Sequence, residues 1–100
     1  MTDASSSARA DVTVEHDAAH SRFLAVVDGL DCVAEYRLAG DVLRMTHTEV
    51  PPALEGRGIA GALVRAAFDH AARHGLKVQP LCSYVRGYVQ RHPETHALLA

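Results

Sequence analysis

The chain has 100 residues, 48% of them apolar, with 10 Lys and Arg against 12 Asp and Glu for a net charge of −2. That describes one domain with a modest core and no electrostatic footprint for nucleic acid. There is no tryptophan, and no apolar run approaches the ~18 residues of a membrane span.

Two cysteines, Cys32 and Cys82, make no disulfide framework and fit a reducing compartment. The first ten residues are small and polar, without the apolar stretch of a signal peptide. The expectation is a cytoplasmic protein with a disordered tail over residues 1–10 and a single domain over residues 11–100.

Residues 11–16 alternate, with Val12 and Val14 on one face, and read as a first strand. A turn follows, then a second strand over residues 22–27. Asp28-Gly29 is a hairpin signal. The third strand runs over residues 30–38, with Cys32, Ala34, Tyr36 and Leu38 in one row. Ala39-Gly40-Asp41 turns the chain again. The fourth strand, residues 42–50, places Leu43, Met45, His47 and Glu49 on one face. That face starts apolar and ends polar, which points to a site at its C-terminal end. A β-bulge would exchange the two faces.

Residues 57–74 form the main helix. Ile59, Leu63, Val64, Ala67, Phe68 and Ala71 make its apolar stripe, and Gly75 stops it. A last strand over residues 76–81 is limited by Pro80. Ser83 can cap a second helix reaching about residue 90, and Pro93 opens a final turn. Four meandering strands followed by helix, strand and helix make an α+β fold. The crossover from the fourth strand to the fifth is expected to be right-handed and parallel.

Between the fourth strand and the main helix lies Pro51-Pro52-Ala53-Leu54-Glu55-Gly56-Arg57-Gly58-Ile59-Ala60-Gly61. Gly56 and Gly58 let backbone N–H groups come close to a ligand. The helix starting there has unpaired N–H groups and a positive dipole end, a natural pyrophosphate site. The stretch also fits G-x-G-x-x-G. A dinucleotide fold, however, needs those glycines directly after a strand and an acidic residue about 20 positions on. Neither holds here. The alternative is a ligand-free glycine turn.

Glu55 to Ala60 resembles the acyl-CoA pyrophosphate loop of the GCN5-related (GNAT) acetyltransferases, commonly [QR]-x-x-G-x-[GA]. Gly58 and Ala60 match. Glu55 departs from it, as suits the short branch of about 90–100 residues with a minimal fold. Thr48-Glu49-Val50-Pro51, Pro80-Leu81-Cys82-Ser83-Tyr84-Val85, and Tyr88 with His92-Pro93-Glu94 extend the likeness over most of the chain. The resemblance implies a mostly antiparallel sheet of about five strands with a parallel crossover and two main helices. Acetyl-CoA would lie between two splayed strands, at Gly56, Arg57, Gly58, Ile59 and Ala60.

The resemblance also implies roles for individual residues. The Val50 N–H would face the acetyl carbonyl, where charge develops. Glu49 would be a general base, its pKa raised if the cleft is desolvated; otherwise it is a solvated glutamate. Cys82, at a helix N-terminus, would carry an acetyl group, or is a small buried hydrophobe. Tyr84 or Tyr88 would protonate the departing CoA thiolate, or each simply packs. His47 is a weaker base candidate, and Cys32 reads as core.

His16/His20, His70/His74 and His92/His96 are i, i+4 pairs without a third ligand and read as coincidence rather than metal. The implied function is N-acetyltransfer to an amine acceptor, either direct or through Cys82. The alternative is a non-catalytic acyl-CoA-binding module. So short a chain leaves its acceptor side open, to be completed by a protein partner or a second copy.

Overall fold

Asp28 and Gly29 both have positive φ, 53° and 77°. A two-residue type I′ turn requires this backbone. It joins β2 (Arg22–Val27) to β3 (Leu30–Ala39) in full register, Val27 opposite Leu30 and Arg22 opposite Glu35. A second tight turn leads to β4 (Val42–Glu49). The computed structural model describes residues 12–100, so the tail expected over residues 1–10 lies outside the described residues.

The sheet has five strands in sequential order, β1 (Glu15–Asp17) through β5 (Lys77–Pro80). The first three pairings are antiparallel, and β4 pairs with β5 in parallel. The α+β expectation and its parallel crossover therefore hold. The crossover is α1 (Ile59–His74), whose buried side chains are Ile59, Leu63, Val64, Ala67, Phe68 and Ala71, the stripe read from the spacing. They close over Cys32, Ala34, Tyr36, Leu43 and Met45 of the sheet. Truncating a fully buried leucine such as Leu63 to alanine costs about 2–5 kcal/mol. That is a large part of what holds a domain this size together. After β5, α2 (Ser83–Arg91) adds Val85, Tyr88 and Val89 to the same core, and a 3-10 segment, Pro93–Leu98, follows.

Three expectations need correction. The first strand was expected over residues 11–16; only Glu15–Asp17 pairs, and Asp11 lies outside the described residues. Val12 and Val14 alternate because they pack, half-buried, against the core, not because they join the sheet. Leu38, placed in the core row, is 58% exposed at the hairpin end of β3. α1 starts at Ile59 rather than Arg57, because Gly58 sits at φ 79°, outside helical space.

β4 also carries the bulge that would exchange its faces. Glu35 stands opposite His47 but Tyr36 opposite Met45, which leaves Thr46 as an extra residue. Ala34 and Tyr36 share the core face, so their partners Thr48 and Met45 do as well. Before the bulge the inward row is Leu43 and Met45. After it, the inward position is Thr48, and His47 and Glu49 turn outward.

The histidines assemble differently from their sequence spacing. His16 on β1 stacks on Phe23 at 4.5 Å and approaches the edge of His70 at 4.3 Å. His70 is 4.3 Å from His74. The His16 Nε2 and the Tyr36 hydroxyl are hydrogen-bonded at 2.6 Å. His20 instead donates to Asp17 at 2.9 Å. Among the described residues, no three His, Cys, Asp or Glu are grouped to hold a metal ion.

Burial lowers the pKa of His16, and His74 lowers it further against the opposing pull of Asp17. Burial likewise lowers His70, with His16, His74 and Arg73 adding to it. Both rings therefore take protons less readily folded than unfolded. As pH falls through the ordinary histidine value of 6.5, the unfolded chain binds protons first. This stability is complete above that pH and is lost below it. Tm is expected to decline between about pH 7 and pH 5, and His70→Gln should flatten the decline. Thermal melts of both proteins across that range check this.

Candidate active site at the β4–β5 fork

Parallel pairing of β4 with β5 ends at Met45 opposite Pro80. The Met45 carbonyl then accepts both the Leu81 and the Cys82 N–H, each at 3.0 Å. Beyond this point β5 turns into α2, while β4 runs on to Glu49. The two chains fork, and a cavity of about 500 Å3 opens between them. Thr48, Glu49 and Val50 form one wall, Leu54 to Gly56 with Gly58 to Gly61 the floor, and Tyr84 the other wall.

The floor is shaped by the two prolines and the two glycines. Pro52–Leu54 make a 3-10 turn, and Leu54 plugs into the core. Gly56 and Gly58 have φ of 82° and 79°, open to glycine but strained for other residues. The Gly58 carbonyl accepts the Ala62 N–H at 3.1 Å, the first bond of the helix. Among the described residues, the N–H groups of Gly58, Ile59, Ala60 and Gly61 donate to no backbone carbonyl. Their donors and the α1 dipole point into the cavity, and no acidic residue lies in the first turn. An anion fits this place. The Arg57 guanidinium leaves the loop and donates to Asp28 at 3.2 Å, so Arg57 offers the loop its backbone rather than its charge.

Val50 is half-buried one residue beyond β4, and among the described residues its N–H donates to no backbone carbonyl. Glu49 is not in the desolvated setting expected of it. Its side chain is 69% exposed and accepts a hydrogen bond from His47 Nε2 at 3.2 Å. The bulge is the reason: it turns both side chains outward, to the cavity rim.

Cys82 is the N-cap residue of α2 and half-buried. Its Sγ lies 3.6 Å from the Thr48 hydroxyl across the fork. Burial pushes the thiol pKa up, but the open amides of Val85 and Tyr84 and the Thr48 hydroxyl outweigh it, and the net shift is down. The amides act as dipoles of the first helical turn without closing a cap hydrogen bond.

Tyr84 points at the floor. A Cβ built on Gly61 would stand 3.5 Å from the Tyr84 hydroxyl. Arg91 lies over the ring at 5.8 Å. Tyr88, one turn on, is elsewhere. It is stacked between Phe68 at 6.0 Å and His92 at 4.0 Å, beside a second hollow of about 840 Å3. Burial raises its pKa. The fork thus brings together the glycine loop, Val50, Cys82 and Tyr84, holds Glu49 at its rim, and leaves Tyr88 outside.

Sequence reasoning gave Thr48 and Gly61 no role of their own. A strand hydroxyl three residues before a proline carries no signal until the bulge turns it inward. Cys32 is fully buried, and burial with the neighbouring Asp31 raises its pKa. Iodoacetamide at pH 7 is therefore expected to modify Cys82 at least about tenfold faster than Cys32. Peptide mass mapping over time checks the ratio.

Comparison with known proteins agrees with this geometry. Residues 22–98 match the family model described as GCN5-related N-acetyl-transferase. Protein NATD1 of Gallus gallus and that of Homo sapiens are each 36% identical over 85 residues, covering 82% of this chain and 77% and 75% of theirs. Protein NATD1 of Xenopus tropicalis is 38% identical over the same length, covering 78% of its chain. The NMR structure of a GCN5-like protein from Staphylococcus aureus superposes with a TM-score of 0.70 at 21% identity, over 88% of this chain and 87% of that one. That likeness concerns the fold. The family match spans more than half of the chain, and the chain belongs to the GCN5-related N-acetyltransferase family.

Proposed function

We propose that this protein is an acetyl-CoA-dependent N-acetyltransferase whose site is the fork between β4 and β5. The observation carrying this reading is the run of open amides from Gly58 to Gly61, set in the floor of a cavity walled by Tyr84 and by Thr48, whose hydroxyl meets Cys82. Those amides and the α1 dipole would hold the diphosphate of acetyl-CoA, which supplies an acetyl group on an activated thioester. The Val50 N–H would stabilise negative charge developing on the acyl oxygen.

Cys82 would take the acetyl group. Its sulfur forms the new C–S bond as the bond to the CoA sulfur breaks. Tyr84 gives the departing thiolate a proton. The acceptor amine then forms the C–N bond, and Cys82 leaves as its thiolate. Glu49 at the rim takes the amine proton, directly or through water. In direct transfer Glu49 does the same and Cys82 stays free. The exposure of Glu49 favours, as second reading, a module that binds acyl-CoA without an acceptor. The acceptor side is open and would take an amine from solution, from a protein partner or from a second copy. A cytoplasmic setting fits this reading.

Acetyl-CoA at about 100 times Kd should stabilise by roughly 2.7 kcal/mol. That corresponds to about 10 °C or more in Tm for a domain of this size. Acetyl-CoA and CoA are expected to give that shift and NAD none; no shift with either CoA form would remove the cofactor assignment. Gly58→Asp, which brings a side chain and a negative charge to the floor, should abolish it while leaving the ligand-free melt cooperative. Intact mass after incubation with acetyl-CoA should show one acetyl adduct, lost in Cys82→Ala. An adduct surviving in that variant would exclude Cys82 as the carrier and leave direct transfer.

A further inference from the structure

The fork is crossed by one side-chain contact whose function the family resemblance does not state. Below the fork, β4 and β5 are tied by their ladder and by Arg44 donating to Gln79 at 2.9 Å. Above it, the strands have no ladder, and Thr48 Oγ1 meets Cys82 Sγ at 3.6 Å. Among the described residues that sulfur is the only hydrogen-bond partner of the Thr48 hydroxyl. Two independent features of the backbone build this contact. The Met45 carbonyl fixes the Cys82 N–H beside β4. The extra residue Thr46 shifts the alternation so that Thr48 faces the sulfur; an unbulged strand would present His47 there.

We propose that Thr48 is the positioning residue for Cys82: its hydroxyl donates to the sulfur, holding it as a thiolate aimed across the cavity. The chemistry of the pair is directional. A thiol donates S–H to the hydroxyl oxygen; once the sulfur is charged, the hydroxyl turns and donates to it instead. A hydrogen bond to an ionised acceptor is stronger than one to its neutral form, so the contact selects the thiolate. The Tyr84 and Val85 amides act from the α2 side, and Thr48 acts from the opposite strand. The sulfur is thus held from both arms of the fork.

This inference rests on Cys82 being the reactive group of the proposed transferase, and its test separates the two ideas. The rate of Cys82 alkylation by iodoacetamide is measured from about pH 5 to pH 10 by peptide mass mapping for the wild type, Thr48→Val and Thr48→Ser. Loss of the hydroxyl in the near-isosteric Thr48→Val should raise the midpoint of the pH–rate profile by about one to two units. Thr48→Ser should restore it, since the hydroxyl remains. An unchanged midpoint in a Thr48→Val protein with a wild-type melt overturns the assignment. So does a raised midpoint that serine does not restore, because the cause is then packing. The same samples are incubated with acetyl-CoA and weighed. A wild type that shows the low midpoint but no acetyl adduct supports the Thr48 pairing and counts against Cys82 as carrier.

Discussion

The Met45 carbonyl accepts two N–H groups, from Leu81 and Cys82, and β4 and β5 share no ladder beyond it. Both arms of the fork depend on this one acceptor. Pro80, the last residue of β5, has no N–H to give, and the two donors that follow it converge on one oxygen. The chain then leaves the sheet plane and starts α2 at Ser83. Without that departure the parallel pair would zip on toward Glu49. The cavity would close, and Cys82 would become an ordinary strand residue.

Two helices therefore begin at one opening. α1 starts in its floor and the first turn of α2 gives it Tyr84 as a wall, so the positive dipole ends of both helices lie close to the same volume. The chain as a whole is weakly acidic. Any attraction for an anion here would come from backbone dipoles, not from lysine and arginine. Arg57, the nearest cation in the loop, is tied to Asp28 in the β2–β3 turn. Backbone donors are fixed in place by the fold and need no reordering when a ligand arrives, whereas a mobile arginine side chain does.

Much of this was legible in the sequence. The apolar stripe of α1, the Asp28-Gly29 turn and the parallel crossover follow from local periodicity and turn chemistry, and local rules set them. The glycine loop was legible because unusual backbone angles leave a compositional trace at Gly56 and Gly58. What was hidden depends on register. Nothing in residues 42–50 marks Thr46 as the extra residue, because a bulge is set by how β4 meets β3, not by its own side chains. The outward turn of Glu49 and the inward turn of Thr48 follow from it. The parting of Tyr84 from Tyr88 was hidden for a related reason. Both lie on one side of α2, but the cavity touches only its first turn, and Phe68 and His92 enclose the second ring.

The bulge has a consequence for how such a site can change over evolutionary time. In a strand, the parity of the residue count decides which side chains meet a ligand. The residues paired with β5, Val42 to Met45, come before Thr46, so the core and the crossover are fixed before the parity is reset. Smoothing out the bulge with every residue kept would leave the hydrophobic interior as it is and turn His47 inward in place of Thr48, whereas deleting Thr46 would keep Thr48 opposite Ala34. The protein thus carries a frame-like control over its own chemistry, separate from the residues that keep it folded: whether the ladder absorbs one residue between Met45 and His47 decides which side chains face the opening.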